Sequence, residues 1–109
     1  MTNGRRWSER DRFGNDIYLT EERWQHITEP TNHPEMLAYE DELRNTIRAG
    51  RRRQDLLSPQ KFRYSKAFEN LVADNTHIVA MVLFRFAEGE TGAILPNNYI
   101  VTAYQKVVG

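Results

Sequence analysis

The stretch HIVAMVLFRF, His77 to Phe86, is apolar at every position from Ile78 to Phe84 and rich in β-branched and aromatic residues. It falls well short of the roughly 18 apolar residues that a membrane-spanning helix needs, and turn-forming residues bound it on both sides. Such a run predicts a central β-strand covered on both faces, with Val79, Met81, Leu83 and Arg85 sharing one of them. The rest of the chain must therefore build a sheet around it. KFRYSKAF supplies a neighbour, in which Phe62, Tyr64 and Lys66 point one way and Lys61, Arg63 and Ser65 the other. YIVTAYQKVV reads as the last strand, its alternation separating Tyr99, Val101 and Ala103 from Ile100, Thr102, Tyr104 and Lys106. Between these two, residues 87–98 carry the turn-rich GETG and PNN, which predicts a long connection with a short strand at AIL.

Upstream the periodicity changes. Asp16 to Leu19 suits a short strand, and Thr20 is placed to cap a helix whose first turn carries Glu21 and Glu22. Leu19 before the cap and Trp24 after it have the spacing of a hydrophobic staple. Pro30 disfavours helical geometry at Glu29, so this helix ends near Thr28. Pro34 can open a second helix, with Asn32 or His33 as its cap, and Met36, Tyr39, Leu43 and Ile47 form its apolar stripe. Gly50 is its natural stop, and Arg51 to Arg53 follow near the negative end of the helix dipole.

This order predicts an α+β fold, with two N-terminal helices packed on one face of a twisted antiparallel sheet of four to five strands. Residues 1–14, with four arginines and only Trp7 and Phe13 to bury, read as a flexible polar arm, and 15–109 as a single domain. Fifteen basic and fifteen acidic residues leave no net charge, so any preference for nucleic acid must come from a local patch. The absence of cysteine excludes disulfides, thiolate metal sites and cysteine nucleophiles. A polar N-terminus and the lack of long apolar runs lead us to expect a cytoplasmic protein with no membrane association.

Three histidines are candidates for chemistry. His26 and His33 stand at a spacing that matches no zinc-binding pattern, so no metal and no cofactor are expected. His26 projects about 200° round the helix from Trp24, at the edge of the core. It is either a solvated helix residue or an acid-base group, since imidazole exchanges protons near neutral pH. His33 reads first as a polar residue at a helix start, and His77 has no assigned role. A sheet face bearing Thr102, Tyr104, Lys106, Arg63 and Arg85 is either an ordinary half-exposed surface or a phosphate-binding one, because arginine and lysine neutralise phosphate and tyrosine can stack on bases. Arg51, Arg52, Arg53 and Lys61 extend that charge and could track a phosphate backbone. Phosphate loops, nucleophile elbows and paired-carboxylate motifs are absent.

In order along the chain stand a strand ending in YLT, the helix EERWQHI, then HPE, a second helix, the KFRY strand, the apolar strand and VTAY. This series resembles the phage-associated branch of the BECR-fold nucleases, the superfamily of barnase, EndoU, colicin-type tRNases and RelE-like toxins, over about residues 15–106. The resemblance implies a metal-independent ribonuclease, possibly of toxin type, or a relative that has lost activity, with helices behind the sheet and RNA in front. Carried over by motif, His26 is the histidine of RWQHI, His33 that of HPE, and Thr102 and Tyr104 the pair of VTAY. Arg63 in KFRY matches on charge and strand face. On this basis His26 is the expected base or acid, Tyr104 its opposite proton donor or a phosphate ligand, Thr102 and Arg63 hold the phosphate, and His33 is the alternate base. Arg51, Arg52, Arg53, Lys61, Arg85 and Lys106 would bind RNA. A cognate antitoxin or inhibitor is a second expected partner, and the chain would act as a monomer or homodimer. The alternative is a non-catalytic module that binds nucleic acid or protein.

Overall fold

A computed structural model describes residues 4–108 of the chain. Its elements run β1 (Arg5–Arg10), β2 (Asp16–Thr20), α1 (Glu21–Ile27), a 3-10 helix (Pro34–Tyr39), α2 (Glu40–Ala49), β3 (Arg51–Gln54), β4 (Lys61–Ala67), β5 (His77–Glu88) and β6 (Ile94–Lys106). They form one six-stranded sheet in the order β1-β2-β6-β5-β4-β3. The fold is α+β with both helices against the sheet, as expected, but the sheet is mixed: β2 runs parallel to β6 at Ile17 and Tyr18, and every other pairing is antiparallel.

The sheet has six strands rather than four to five, and two of them that were not expected come from arginine-rich segments. Arg5–Arg10, expected within a flexible arm, is an edge strand paired with β2, and it turns Trp7 and Glu9 toward the helices. Charge pairing holds it there: Arg6 bonds Glu40 and Glu21, the Trp7 indole N–H donates to Glu40 at 2.9 Å, and Glu9 meets Arg44 and Arg48. The Arg6 bond holds the Glu40 carboxyl below the usual range, against burial that pushes it up. Met1 to Asn3 of the expected arm lie outside the described residues. Arg51–Gln54 forms the opposite edge strand, against β4.

Local signals in the helices are realised closely. The Thr20 hydroxyl accepts from the Arg23 N–H at 3.0 Å, and Leu19 and Trp24 are buried in one core. We predict that Thr20→Ala lowers stability by about 1 kcal/mol, measured by urea unfolding, because that amide then lacks its partner. Met36, Leu43 and Ile47 are fully buried against Ile78, Ala80 and Val82 of β5. The expected second helix starts as a 3-10 turn before becoming α2, since the two helix types share spacings of three to four. Gly50 closes α2 with extended rather than left-handed geometry; a Cβ there would stand 2.3 Å from the Thr46 carbonyl and 2.8 Å from that of Ser65, so glycine permits the close approach of α2 to β4.

Two expectations for the last strands change. Residues 87–98 are not a long connection. β5 and β6 continue to the pair Glu88–Ile94, closed by a turn in which the Gly89 N–H donates to the Ala93 carbonyl at 2.7 Å and Gly92 takes φ +82°. In addition, the register of β6 shifts between its pairs with Met81 and Val82. This bulge reverses the side-chain alternation, so Ile100 joins Ala103 in the core and Tyr99 moves to the opposite face beside Tyr18. Among the described residues no helix is long and apolar enough to cross a membrane.

Candidate functional site

The helices cover the sheet face bearing Ile17, Leu19, Tyr64, Ile78, Ala80, Val82, Ile100 and Ala103. The other face carries no helix, contrary to the expectation that β5 is covered on both sides. Strand register fixes which side chains share it, since directly paired residues lie on one face. Three rows result: Arg51, Ser65, Val79 and Tyr104; Arg53, Arg63, Met81 and Thr102; and Lys61, Leu83, Tyr99 and Tyr18. His77 pairs with Lys106 at one end, and Arg85 with Asn97 at the other.

Arg52 alternates to the opposite face. There its guanidinium lies 4.2 Å from the Phe13 ring centroid and 4.8 Å from that of Phe62, with buried Asp11 at 3.9 Å. Its side chain is therefore committed to holding β3 against the domain rather than to the open face. The Asp11 carboxyl accepts from the Tyr64 hydroxyl, from the backbone N–H of Phe13 and Asn15, and from the Asn15 amide. Burial pushes Asp11 up, but these bonds outweigh it and hold the carboxyl below its ordinary value. Burial, followed by the bond to Asp11, pushes Tyr64 up.

Charge is segregated between the faces. Arg6, Arg44, Arg48 and Arg52 all meet carboxylates at the helix side of the sheet. Among the described residues, by contrast, Arg51, Arg53, Lys61, Arg63, Arg85 and Lys106 have no acidic partner. A formally neutral chain thus presents a basic open face. Its main concavity is a groove of about 450 Å³ whose lining includes Arg51 to Arg53, Arg63, Ser65, His77 and Lys106, with no carboxylate; Arg52 borders it although its guanidinium is turned to Phe13 and Phe62.

The structure brings His33, not His26, to the VTAY strand. Beyond Tyr99 the edge of β6 is free of β2, and the His33 ring packs on Tyr104 with centroids 5.8 Å apart and planes tilted by 32°. The His33 backbone is tied by its N–H to the Ile27 carbonyl at 2.8 Å, and Nδ1 stands 3.4 Å from Glu35. His33 takes the cap position before Pro34, as the sequence suggested, and its carbonyl accepts from the Met36 N–H at 3.0 Å, but its side chain makes no bond to the amides of the helix start. His26 is 59% exposed, faces Glu29 at 3.4 Å, and shares a shallow hollow only with Glu22, Arg23, Gln25 and Glu29.

His77 is the residue that sequence reasoning passed over. Its Nδ1 lies 2.7 Å from the Thr76 hydroxyl, which also accepts from the Val108 N–H, and among the described residues Nε2 has no hydrogen-bond partner. Parity with Val79 and Met81 already put it on their face. What was missing is the register that sets it beside Lys106 and makes it a diagonal neighbour of Tyr104, about 7–8 Å away. Among the described residues no group of three or more His, Asp or Glu side chains is placed to hold a metal ion. The arrangement defines a small α+β protein with an open, basic sheet face bounded by two imidazoles and a phenol. No family model, curated protein or solved structure matches the chain.

Proposed function

We propose that this chain is a metal-independent ribonuclease of the BECR type that cuts single-stranded RNA. The 2′-hydroxyl attacks the adjacent phosphate, the P–O5′ bond breaks, and the products are a 2′,3′-cyclic phosphate and a free 5′-hydroxyl. His33, held through Glu35, takes the 2′-hydroxyl proton; His77, on the far side of Tyr104, delivers a proton to the leaving O5′. Tyr104 and Thr102 bind the phosphate between them, and Arg63 with Lys106 stabilises the charge that builds on its oxygens. In this assignment His33 replaces His26 as the base.

The observation that carries the reading is the His33–Tyr104 contact, since Tyr104 pairs with Val79, which lines a groove of cations without a carboxylate. The test is incubation of the purified protein with RNA in EDTA, followed by analysis of the new ends. We expect fragments ending in 2′,3′-cyclic phosphate; no cleavage across a wide range of protein amounts overturns the assignment. A non-catalytic RNA-binding face is the second reading. It is favoured by the separation of His26 from Tyr104, and it predicts binding without cleavage.

A further inference from the structure

Beside the basic groove lies a second hollow of about 310 Å³, lined by Arg53, Gln54, Asp55, Leu56, Leu57, Arg63 and Met81. Its character differs from the groove: the β3–β4 turn holds Leu56 and Leu57 in solvent, 97% and 96% exposed. Their exposure does not come from a loose loop. Asp55 Oδ1 accepts from the N–H of Leu57 at 2.8 Å and of Ser58 at 3.0 Å, the Asp55 N–H donates to the Lys61 carbonyl at 2.9 Å, and the Gln54 amide donates to the Pro59 carbonyl at 2.8 Å. The turn therefore fixes two adjacent leucines at the rim of the hollow.

Its position argues for what it contacts. The hollow and the groove share Arg53 and Arg63, so the two cations form the boundary between an apolar recess and a phosphate-sized basic one. A nucleotide has that same construction, an apolar-faced ring joined through ribose to a phosphate, and apolar side chains stack on any base without reading its edge. The volume is at the low end for ligand sites, which suits one base rather than a larger group. We infer that the Leu56–Leu57–Met81 hollow is a nucleobase subsite, receiving a base of single-stranded RNA whose phosphate lies in the groove across Arg53 and Arg63. Asp55 Oδ2, which has no hydrogen-bond partner among the described residues, stands at its rim and can accept from a base N–H.

The inference rests on the proposed RNA-binding reading, and the test separates the two. Affinity is measured for a short RNA oligomer and for copies in which each base in turn is replaced by an abasic site, using the full chain and its Leu56→Ser, Leu57→Ser double variant. Both positions are nearly fully exposed and the turn is held by bonds that do not involve these side chains, so the variant folds. We expect one abasic position to weaken wild-type binding by about tenfold, and the variant to bind intact and abasic RNA alike. Binding that falls steeply with salt but ignores every base removal overturns the subsite and leaves the phosphate groove standing. No RNA binding by the wild type overturns both. A dimer of the wild type that becomes monomeric in the variant, seen by sedimentation, assigns the leucines to a second copy of the chain and overturns the subsite.

Discussion

Asp11→Ala is expected to lower stability by about 3 kcal/mol, the largest effect of any single substitution outside the apolar core. Asp11 is 4% exposed and gathers four donors from three residues: Tyr64 on β4, and Phe13 and Asn15 in the β1–β2 turn. Removing the carboxylate leaves the Tyr64 hydroxyl unpaired in the core, where Tyr64 is fully buried, and leaves Arg52 without its nearest acid. Tyr64→Phe removes one donor while the other three remain, so it should cost about 1 kcal/mol. Denaturant unfolding of both variants and the double variant checks this, and a double-variant loss equal to the simple sum sinks the idea that the two residues act as a pair. The pH dependence follows from the direction of the shift. The Asp11 carboxyl is held below its unfolded value, so its contribution is present in full above the usual aspartate range and is lost as pH falls through the folded value. The stability gap between wild type and Asp11→Asn should therefore narrow on acidification.

This buried cluster has a bearing on the open face. Arg52 points into the domain, between Phe13, Phe62 and Asp11, and strand alternation then sends Arg51 and Arg53 the other way, into the groove. A residue counted among the RNA-binding arginines from sequence alone is thus what orients its two neighbours.

How far the fold was legible depended on whether each signal was local. Thr20, Pro30 and the Met36–Leu43–Ile47 stripe act within one or two turns, and they located α1 and the second helical segment to within a residue or two. The alternation in KFRYSKAF placed Tyr64 inward and Arg63 outward, as observed. β1 was illegible because what holds RRWSER down is Glu40 and Arg44, more than thirty residues away in sequence. RRRQ gives no alternation of apolar residues, although its middle arginine is an inward one stacked on phenylalanines. The bulge in β6 depends on the partner strand and carries no mark of its own in YIVTAY, so Tyr99 and Ile100 were assigned to the wrong faces. Of the candidate site, face parity was readable for Arg63, Arg85, Thr102, Tyr104 and Lys106. The meeting of His33 with Tyr104, and of His77 with Lys106, is a matter of tertiary register and was not.

That register separates the histidines experimentally. We expect His33→Ala to lower kcat for RNA cleavage by about 10²- to 10³-fold, the scale of one positioned acid-base group, and His77→Ala to do the same. His26→Ala should stay within about twofold of wild type, because its ring meets Glu29 and shares no hollow with β6. Tyr104→Phe keeps the ring that packs on His33 and deletes only the hydroxyl, so its loss reports phosphate contact rather than the placement of the base. If His33 removes a proton and His77 supplies one, each single variant should flatten one limb of the pH–rate profile and leave the other. A His26→Ala loss as large as that of His33→Ala would refute this assignment, since it requires the exposed α1 imidazole to reach a phosphate bound at Thr102 and Tyr104. Retention of RNA affinity in the His33→Ala and His77→Ala variants is the control that assigns their losses to chemistry, because the cations proposed to hold the backbone, Arg51, Arg53 and Arg63, are untouched.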